Sequence, residues 1–199
     1  MKARHVSLLI FLFGLVLPLT APGQSGAADY FNQGNAKQAK HDLDGAIADY
    51  TRALELDPKL AATYINRGAA KRVKGDLGGA IDDYTRAINL DSKLPAPYYN
   101  RANARTAKRD FDGAMADYTS AIELDPKNAR AYNQRGEVKT AKGDWDGAIG
   151  DYSRAFEFDP NLVQAFLNRI TAREVLGDWD GIIADYNHQI QVNPKSAVG

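Results

Sequence analysis

The feature that most constrains this sequence is a pattern that repeats every 34 residues over most of its length. Five tyrosines mark the period: Tyr50, Tyr84, Tyr118, Tyr152 and Tyr186. Five dipeptides, four of them ending in proline, recur at the same interval and begin at Asp57, Asp91, Asp125, Asp159 and Asn193. Counting back from these marks gives units 27–60, 61–94, 95–128, 129–162 and 163–196. A fixed period of this length, with no linker between units, predicts one solenoid domain.

Each unit predicts two antiparallel helices. In the second unit the first helix runs from about residue 62 to 74, and Gly75 ends it. Asp76 then serves as N-cap of a second helix, in which apolar residues recur at helical spacing. The dipeptide at Asp57, like its repeats, predicts the end of the second helix, because proline cannot continue it. One hairpin cannot bury its apolar face alone, so stacking must supply the core.

The residues within a unit resemble the tetratricopeptide repeat. The fourth unit shows the family's aromatic residue, small residue, Ala-x3-aromatic pair and closing proline, at Tyr132, Gly136, Ala148, Tyr152 and Pro160. The resemblance covers residues 27–196 in five copies. It implies an all-α fold, a right-handed α-solenoid of five helix-turn-helix repeats that mediates protein–protein interaction without catalysis.

The small residues of the motif have a physical reason. Gly34, Gly68, Ala102 and Gly136 are expected opposite Ala46, Ala80, Ala114 and Ala148. Small side chains at both places let the two helix axes approach closely. The fifth unit instead has Ile170 and Ile182, which predicts a wider hairpin. Its polar run Asn187, His188 and Gln189 predicts the solvated outer face of a capping repeat. By position, Trp145 and Trp179 are expected in the core.

The N-terminal segment is distinct from the repeats. Lys2 and Arg4 precede an apolar run from Val6 to Leu17, and small residues follow up to Ala28. This pattern is typical of a secretory signal peptide, and the run is too short for a membrane span of about 20 residues. Cleavage after Gly23 and a retained anchor are the alternatives. The expected divisions are a cleaved signal peptide 1–27, a solenoid 28–196 and a tail 197–199.

Composition limits the partners and the compartment. Lys and Arg total 25, as do Asp and Glu, so no net charge attracts nucleic acid or an anionic membrane. There is no cysteine, which excludes disulfides, thiol catalysis and thiolate metal sites. Export without disulfides favours a bacterial periplasm, with secretion as the alternative. No stable membrane insertion is expected once the signal is removed.

Candidate catalytic or metal-binding residues are few. The only histidines are His5, His41 and His188, and none has the neighbours that a catalytic base or a transition metal needs. We therefore expect no enzyme activity, no cofactor and no metal. Asp-x-Asp-Gly strings begin at Asp42, Asp110, Asp144 and Asp178. They lack the further ligands of a calcium loop, and helix N-capping accounts for them better.

The resemblance also implies a binding surface. In this family the first helices line a concave groove through the second, fifth, ninth and twelfth positions of a unit. Carried over by position, the groove holds Phe31, Asn35, Ile65, Arg72, Tyr99, Asn103, Arg130, Asn133, Leu167 and Glu174. The expected partner is another protein or an extended peptide, and the groove residues are expected to contribute little to packing between units. The alternative function is a self-associating structural protein that uses the groove or the repeat ends.

Asparagines at the sixth position form a second series beside the groove: Asn32, Asn66, Asn100 and Asn168. Two interpretations fit them, since their amides suit either a peptide backbone or the neighbouring helices, and the second is favoured. Chaperone-binding members of the family grip a C-terminal peptide with Lys, Asn, Asn, Lys and Arg. The corresponding positions here are Phe31, Asn35, Asn66, Ala96 and Asn100. They supply no cation, so this carboxylate clamp is not expected.

Charged residues occupy three positions that are usually apolar in the family. The seventh carries Arg67, Arg101, Arg135 and Arg169; the eleventh carries Lys37, Lys71, Arg105, Lys139 and Arg173; the twenty-third carries Asp49, Asp83, Asp117, Asp151 and Asp185. They predict internal ion pairs along the stack, with a basic strip for an acidic ligand as the alternative.

Two arrangements of these ion pairs fit the sequence. Each seventh-position arginine can meet the aspartate of its own unit or that of the preceding unit. The first unit has no predecessor and carries Gln33 instead of arginine, which favours pairing across the interface, as in Asp117 with Arg135. The persistence of Asp185 in the last unit counts against it. The cations at the eleventh position would then pair within the unit.

Overall fold

The structure, a computed structural model, describes residues 26–192, which form ten α-helices. These are α1 (Ala27–Ala39), α2 (Leu43–Leu56), α3 (Ala61–Val73), α4 (Leu77–Leu90), α5 (Pro95–Ala107), α6 (Phe111–Leu124), α7 (Ala129–Ala141), α8 (Trp145–Phe158), α9 (Val163–Leu176) and α10 (Trp179–Val192). Each odd-numbered helix packs on the even-numbered helix that follows it, and hairpins stack in chain order. The predicted signal peptide lies outside the described residues. None of the ten described helices combines the length and apolarity needed to cross a membrane.

The second helices begin at an aspartate N-cap. The Asp42 carboxylate accepts a hydrogen bond of 2.9 Å from the backbone N–H of Gly45, and Asp110 accepts one of 3.0 Å from Gly113. Equivalent bonds form at Asp76, Asp144 and Asp178. These bonds satisfy N–H groups that have no partner within the helix. The N-capping interpretation of the Asp-x-Asp-Gly strings is therefore confirmed.

The second helices end at the next aspartate, with or without a proline after it. Helix α4 stops at Leu90 although Ser92 follows Asp91. The Asp91 carboxylate accepts a hydrogen bond of 2.9 Å from the backbone N–H of Lys93, as Asp57 does from Lys59. Such a bond turns the chain out of the helix. Proline reinforces this stop but is not required for it.

Close approach of the two helices explains the small residues of the motif. A Cβ added to Gly34 would lie 2.6 Å from a ring carbon of Tyr50, and one on Gly136 would lie 2.6 Å from Tyr152. Real Cβ atoms do not come so near, so the tyrosine ring fills the space that a side chain would occupy. The third unit places Ala102 there, in one cluster with Ala114 and Tyr118.

The fifth unit departs from this packing. Helices α9 and α10 approach each other less closely than the helices of the other four hairpins, which confirms the predicted wider hairpin. One other expectation is wrong: Trp179 is 63% exposed rather than in the core, because no further unit covers it within the described residues. In the polar run, Asn187 and His188 are exposed as expected, and the His188 ring also packs edge-on against Phe156 at 5.9 Å.

The stack is curved, with the first helices on its inner side. Each first helix contacts the first helices of the adjacent units, as α3 does with α1 and α5. Within residues 26–192, the backbones of neighbouring second helices do not approach each other as closely as those of neighbouring first helices. Neighbouring units are therefore closer together along the side formed by α1, α3, α5, α7 and α9. This inner side is the concave surface on which the predicted groove lies.

Candidate functional site

The structure brings the predicted groove residues onto one surface but buries them to different degrees. Helices α1, α3, α5, α7 and α9 lie side by side and carry all ten. The exposed members are Arg72, Arg130, Leu167 and Glu174. The half-buried members are Phe31, Asn35, Ile65, Tyr99 and Asn103, and Asn133 is buried. Only part of the predicted surface is thus freely available to a partner.

The apolar members form a row that also packs against the hairpin interior. The Tyr99 ring lies 5.9 Å from the Tyr118 ring in an edge-on arrangement, and Phe31 lies 6.1 Å from Tyr50. Ile65 packs against the buried cluster that contains Tyr84. The ring contacts of Phe31 and Tyr99 lie within their own hairpins, so these contacts do not bear on the expectation that groove residues contribute little to packing between units. Ile65 does bear on it, because its cluster also contains Ala104 of the next unit. Each of these side chains presents one face to the groove and the other to the core.

The asparagine side chains bond to one another across units. Asn35 accepts hydrogen bonds from the Tyr50 hydroxyl at 2.7 Å and from the Asn66 amide at 2.8 Å. Three units further along the stack, Asn168 likewise donates to Asn133 at 3.2 Å. The interpretation that these amides bond neighbouring helices is therefore confirmed for Asn66 and Asn168.

The second unit interrupts this hydrogen-bonded series. Its ninth position is Ala69, where the first and third units have asparagine. The Tyr118 hydroxyl donates to Asn103 at 2.6 Å, whereas the buried Tyr84 hydroxyl has no asparagine to bond and lies near the Arg72 guanidinium without a well-formed hydrogen bond to any described residue. The acceptor that Asn66 finds in the preceding unit is also missing for Asn100, since Ala69 stands in its place. The middle of the groove therefore has unused hydrogen-bonding capacity.

Buried phenols form the floor beneath the groove. Burial raises the pKa of Tyr50, Tyr84, Tyr118 and Tyr152, because a phenolate would lose its hydration there. These hydroxyls therefore remain protonated around neutral pH. Tyr50 and Tyr118 donate to asparagines of the layer above them, whereas the Tyr152 hydroxyl shares a hydrogen bond with Thr140.

Two depressions interrupt the groove surface. One, of about 510 Å³, lies between α1 and α3 and is lined mainly by small and apolar residues, including Ala28, Phe31, Leu60 and Ala62. The other, of about 190 Å³, lies between α5, α7 and α9 and is lined by Tyr99, Arg130, Asn133, Gln134, Leu162 and Gln164. The groove therefore has an apolar end at the first unit and a more polar, cationic section near its middle.

The charged positions form ion pairs within each unit, so the predicted pairing across the interface is wrong. Arg101 binds Asp117 through two hydrogen bonds of 2.9 and 2.7 Å, and Arg105 binds the same carboxylate at 2.9 Å. The seventh-position pairs are Arg67–Asp83, Arg101–Asp117, Arg135–Asp151 and Arg169–Asp185. The eleventh-position pairs are Lys37–Asp49, Lys71–Asp83, Arg105–Asp117, Lys139–Asp151 and Arg173–Asp185. The hydrogen bond with Asp151 raises the pKa of Arg135, while burial lowers the pKa of Arg169.

The same arginines still reach the preceding unit, through a hydroxyl. Arg101 donates to the Thr85 Oγ1 at 2.9 Å, and Arg135 donates to Thr119 at 3.1 Å. Arg67 and Arg169 bond Thr51 and Ser153 in the same way. The first unit needs no such arginine, which accounts for Gln33. The sequence carried a signal for this contact: hydroxyl residues occupy the twenty-fifth position of every unit that an arginine-bearing unit follows.

These ion pairs are structural, and they do not form a basic strip. The arginines at the seventh position face carboxylates and lie largely inside the stack. Among residues 26–192 there is also no group of three or more acidic or histidine side chains placed to hold a metal ion. The free charges of the groove are those of the exposed residues Arg72, Arg130 and Glu174.

A curved stack of helical hairpins with a groove along its first helices defines an α-solenoid scaffold. The chain belongs to the tetratricopeptide repeat family. The sequence-family model described as "Tetratricopeptide repeat" matches residues 27–60. A second family model, described as "TPR repeat", matches residues 70–108 and 102–140. No match was found among curated proteins.

Solved structures share this fold. The crystal structure of MamA is 26% identical, covering 86% of this chain and 93% of that chain, with a TM-score of 0.78. YrrB, described as a TPR protein with an unusual peptide-binding site, is 24% identical over 85% of this chain and 87% of its own, with a TM-score of 0.69. The first TPR of Spaghetti (RPAP3), bound to the HSP90 peptide SRMEEVD, is 28% identical over 59% of this chain and 93% of its own, with a TM-score of 0.58.

Proposed function

We propose that this protein is a non-catalytic scaffold that binds an extended segment of another protein along its concave groove. The observation that carries the proposal is the row of half-exposed apolar side chains Phe31, Ile65 and Tyr99 on three adjacent first helices. Tetratricopeptide repeat proteins are generally scaffolds without catalytic activity, and the Spaghetti domain was solved with a peptide bound. Both facts support the assignment.

The chemistry of the groove indicates the kind of segment it would accept. The depression beside Phe31 suits an apolar side chain, because Ala28 and Ala62 leave space there. Arg72 and Arg130 are exposed cations further along the groove. A partner segment that carries apolar residues at one end and an acidic residue toward the other would match both features.

The carboxylate-clamp mode is not proposed. Its positions supply no cation here, and two of its asparagines are already engaged, since Asn66 donates to Asn35 at 2.8 Å. A peptide that used them would first have to break this bond. Binding would instead use the apolar row and the unpaired polar groups near Ala69.

A peptide-display selection against the intact protein would identify ligands for the groove, and two matched variants would then locate the site. Arg130→Glu reverses an exposed charge in the groove, and Arg86→Glu reverses an exposed charge on α4, outside it. We expect Arg130→Glu to weaken a selected acidic peptide at least about tenfold, which corresponds to about 1.4 kcal/mol. Arg86→Glu should leave the affinity unchanged.

Equal loss of affinity in both variants would mean that only net charge matters, and no loss in either would place the site outside the groove. Tyr99→Ala is a second probe, with an expected cost of about 2 kcal/mol or more if the ring anchors the peptide. Because Tyr99 also packs on Tyr118, its thermal unfolding must be recorded beside its affinity.

We also propose that the protein works in the periplasm or outside the cell, and self-association remains the alternative function. The support for export is the N-terminal pattern of residues 1–27. N-terminal sequencing of natively expressed protein is the test. We expect a start near Ala28, and a soluble form that retains Met1 would contradict export.

A further inference from the structure

The outer face of α10 carries a stripe of exposed apolar side chains. Trp179 is 63% exposed, Ile183 59%, Tyr186 48% and Ile190 50%. Their spacing of four, three and four residues places them on one face of the helix. An isolated exposed apolar residue is ordinary, but a contiguous patch of this kind marks an interaction surface.

The same positions are covered in the other units. The tyrosine equivalent to Tyr186 is no more than 2% exposed in each of the four preceding units, as in Tyr118 and Tyr152. There the first helix of the next unit packs on this face, as α9 does on α8. Helix α10 thus presents a surface of the kind that is buried elsewhere in this stack. Among the described residues, the Phe166 ring packs edge-on against Tyr186 at 5.5 Å, and the stripe otherwise stays exposed.

The first unit of another copy is a poor neighbour for this face. The third position of a unit is buried at each interface, where it holds Thr63, Pro97, Ala131 and Ala165. In the first unit it is Asp29, which is exposed and bonds the backbone N–H of Gly26. Head-to-tail stacking would bury this carboxylate against an apolar surface, at a high desolvation cost. Gln33 likewise replaces the arginine that each interface uses.

We propose that the α10 face binds the α10 face of a second copy, so that two stacks join tail to tail about a twofold axis. The placement of the stripe suits such a dimer. Trp179 and Ile190 lie equally far from the midpoint between residues 184 and 185, and so do Ile183 and Tyr186. Two antiparallel copies would therefore set Trp179 against Ile190, and Ile183 against Tyr186, in both directions at once.

The size of the patch sets the expected strength of the dimer. With large side chains of about 150–250 Å² each, the stripe exposes on the order of 400–500 Å² per copy. Two copies would bury about 900 Å² in total, which is the range of weak, reversible interfaces. The proposal is independent of the groove, which α10 does not line.

Sedimentation over a concentration series tests for the dimer. We expect the mature protein, which begins near Ala28, to pass from monomer to dimer as its concentration rises, and its Ile183→Glu variant to remain monomeric over the same range. Val73→Glu is the matched control, because Val73 is 63% exposed at the end of α3. It should dimerise like the wild type. Circular dichroism of each variant checks that the helices remain folded.

Cysteine cross-linking tests the twofold geometry, because the chain has no cysteine of its own. In the antiparallel dimer the two copies of residue 183 are offset by about 4.5 Å along the helix axis, and the two copies of residue 179 by about 16 Å. A short thiol cross-linker should therefore join Ile183→Cys to itself but not Trp179→Cys to itself. Mixing Trp179→Cys with Ile190→Cys should restore a cross-link.

Several results would overturn the proposal. A wild type that stays monomeric at every concentration excludes the dimer. Dimerisation that survives Ile183→Glu places the interface elsewhere on the molecule. Cross-linking of Ile183→Cys to a cysteine at Gln33, with none between two copies of Ile183→Cys, would show head-to-tail stacking instead.

Discussion

At the scale of single residues, the arginine at the seventh position links its unit internally and to its neighbour. Arg101 holds Asp117 with two hydrogen bonds and reaches back to the Thr85 hydroxyl with a third. The side chains of Arg101 and Asp117 are 13% and 4% exposed, so both charges have lost most of their water. Removing Asp117 would strand the Arg101 guanidinium, and a stranded charge of a buried pair typically costs about 3–5 kcal/mol. Removing Arg101 should cost less, because Arg105 still binds the Asp117 carboxylate.

A double-mutant cycle should locate this coupling. We expect Asp117→Ala and Arg101→Leu each to lower the free energy of unfolding, and the double variant to recover part of the loss. The coupling energy should be about 1–3 kcal/mol, measured by urea denaturation. The same cycle with Arg135, which binds Asp151 instead, should give a coupling within about 0.5 kcal/mol of zero. Strong coupling of Asp117 with Arg135, and none with Arg101, would instead support pairing across units.

The residue types in these pairs could be predicted from the sequence, but the partner of each could not. Repetition and charge alone established that cations at the seventh and eleventh positions accompany an aspartate at the twenty-third. Which aspartate each arginine binds depends on whether the second helix of its own unit or that of the preceding unit lies nearer to it. The glutamine at position 33, in the one unit without a predecessor, indicated that the arginines contact the preceding unit. That contact exists, but it is made to Thr85 and its equivalents rather than to the aspartate. The first unit has no preceding unit, and this explains Gln33 whether the arginines contact the preceding aspartate or the preceding hydroxyl.

At the scale of the helical hairpin, a buried tyrosine holds the two helices together. Tyr50, Tyr84 and Tyr118 are fully buried, and each ring lies against the small residue of the facing helix. The sequence predicted this close approach from the glycines and alanines. It did not show that the ring is the direct neighbour of the glycine, because the motif places the small residue opposite an alanine. The depth to which Tyr99 and Ile65 pack was missed for a related reason, since position in a repeat does not report burial.

This packing predicts sensitivity to alkaline pH. Burial raises the pKa of Tyr50, Tyr84, Tyr118 and Tyr152 above the ordinary value of about 10. The buried neutral phenols therefore contribute stability that is fully present below about pH 10 and is lost as the pH rises through their folded-state pKa values. We expect phenolate absorbance from these residues to appear together with loss of helical circular dichroism.

Tyr118→Phe supplies the control for this titration. It removes one ionisable group from the interior, so the loss of helix should move to higher pH even if stability at neutral pH falls. Phenolate formation by all tyrosines near pH 10, with the helices intact, would contradict the expected burial.

At the scale of the whole molecule, the stack is held by contacts between sequence neighbours alone. Every helix pair in contact within residues 26–192 belongs to the same unit or to adjacent units. The stability of such a chain is close to a sum of unit and interface contributions. The fifth unit contributes least, because its hairpin is wide and the outer face of α10 is exposed.

Hydrogen exchange should therefore show a gradient along the chain. We expect amides of α10 to exchange fastest and those of α4 to α7, which have neighbours on both sides, to exchange slowest. Peptide-level exchange measured by mass spectrometry at low protein concentration resolves this order. Equal protection of all ten helices would indicate a single cooperative unit and contradict the expectation.

The ion pairs within units have a consequence for how such a chain can change in length. Each of the second to fourth units carries its own two cations, its own aspartate and the hydroxyl that the next unit uses. A copy of one of these units inserted into the array would bring a complete set of partners and would leave none of its neighbours' charges unpaired. Duplication or loss of whole units during evolution is therefore electrostatically neutral in this part of the array.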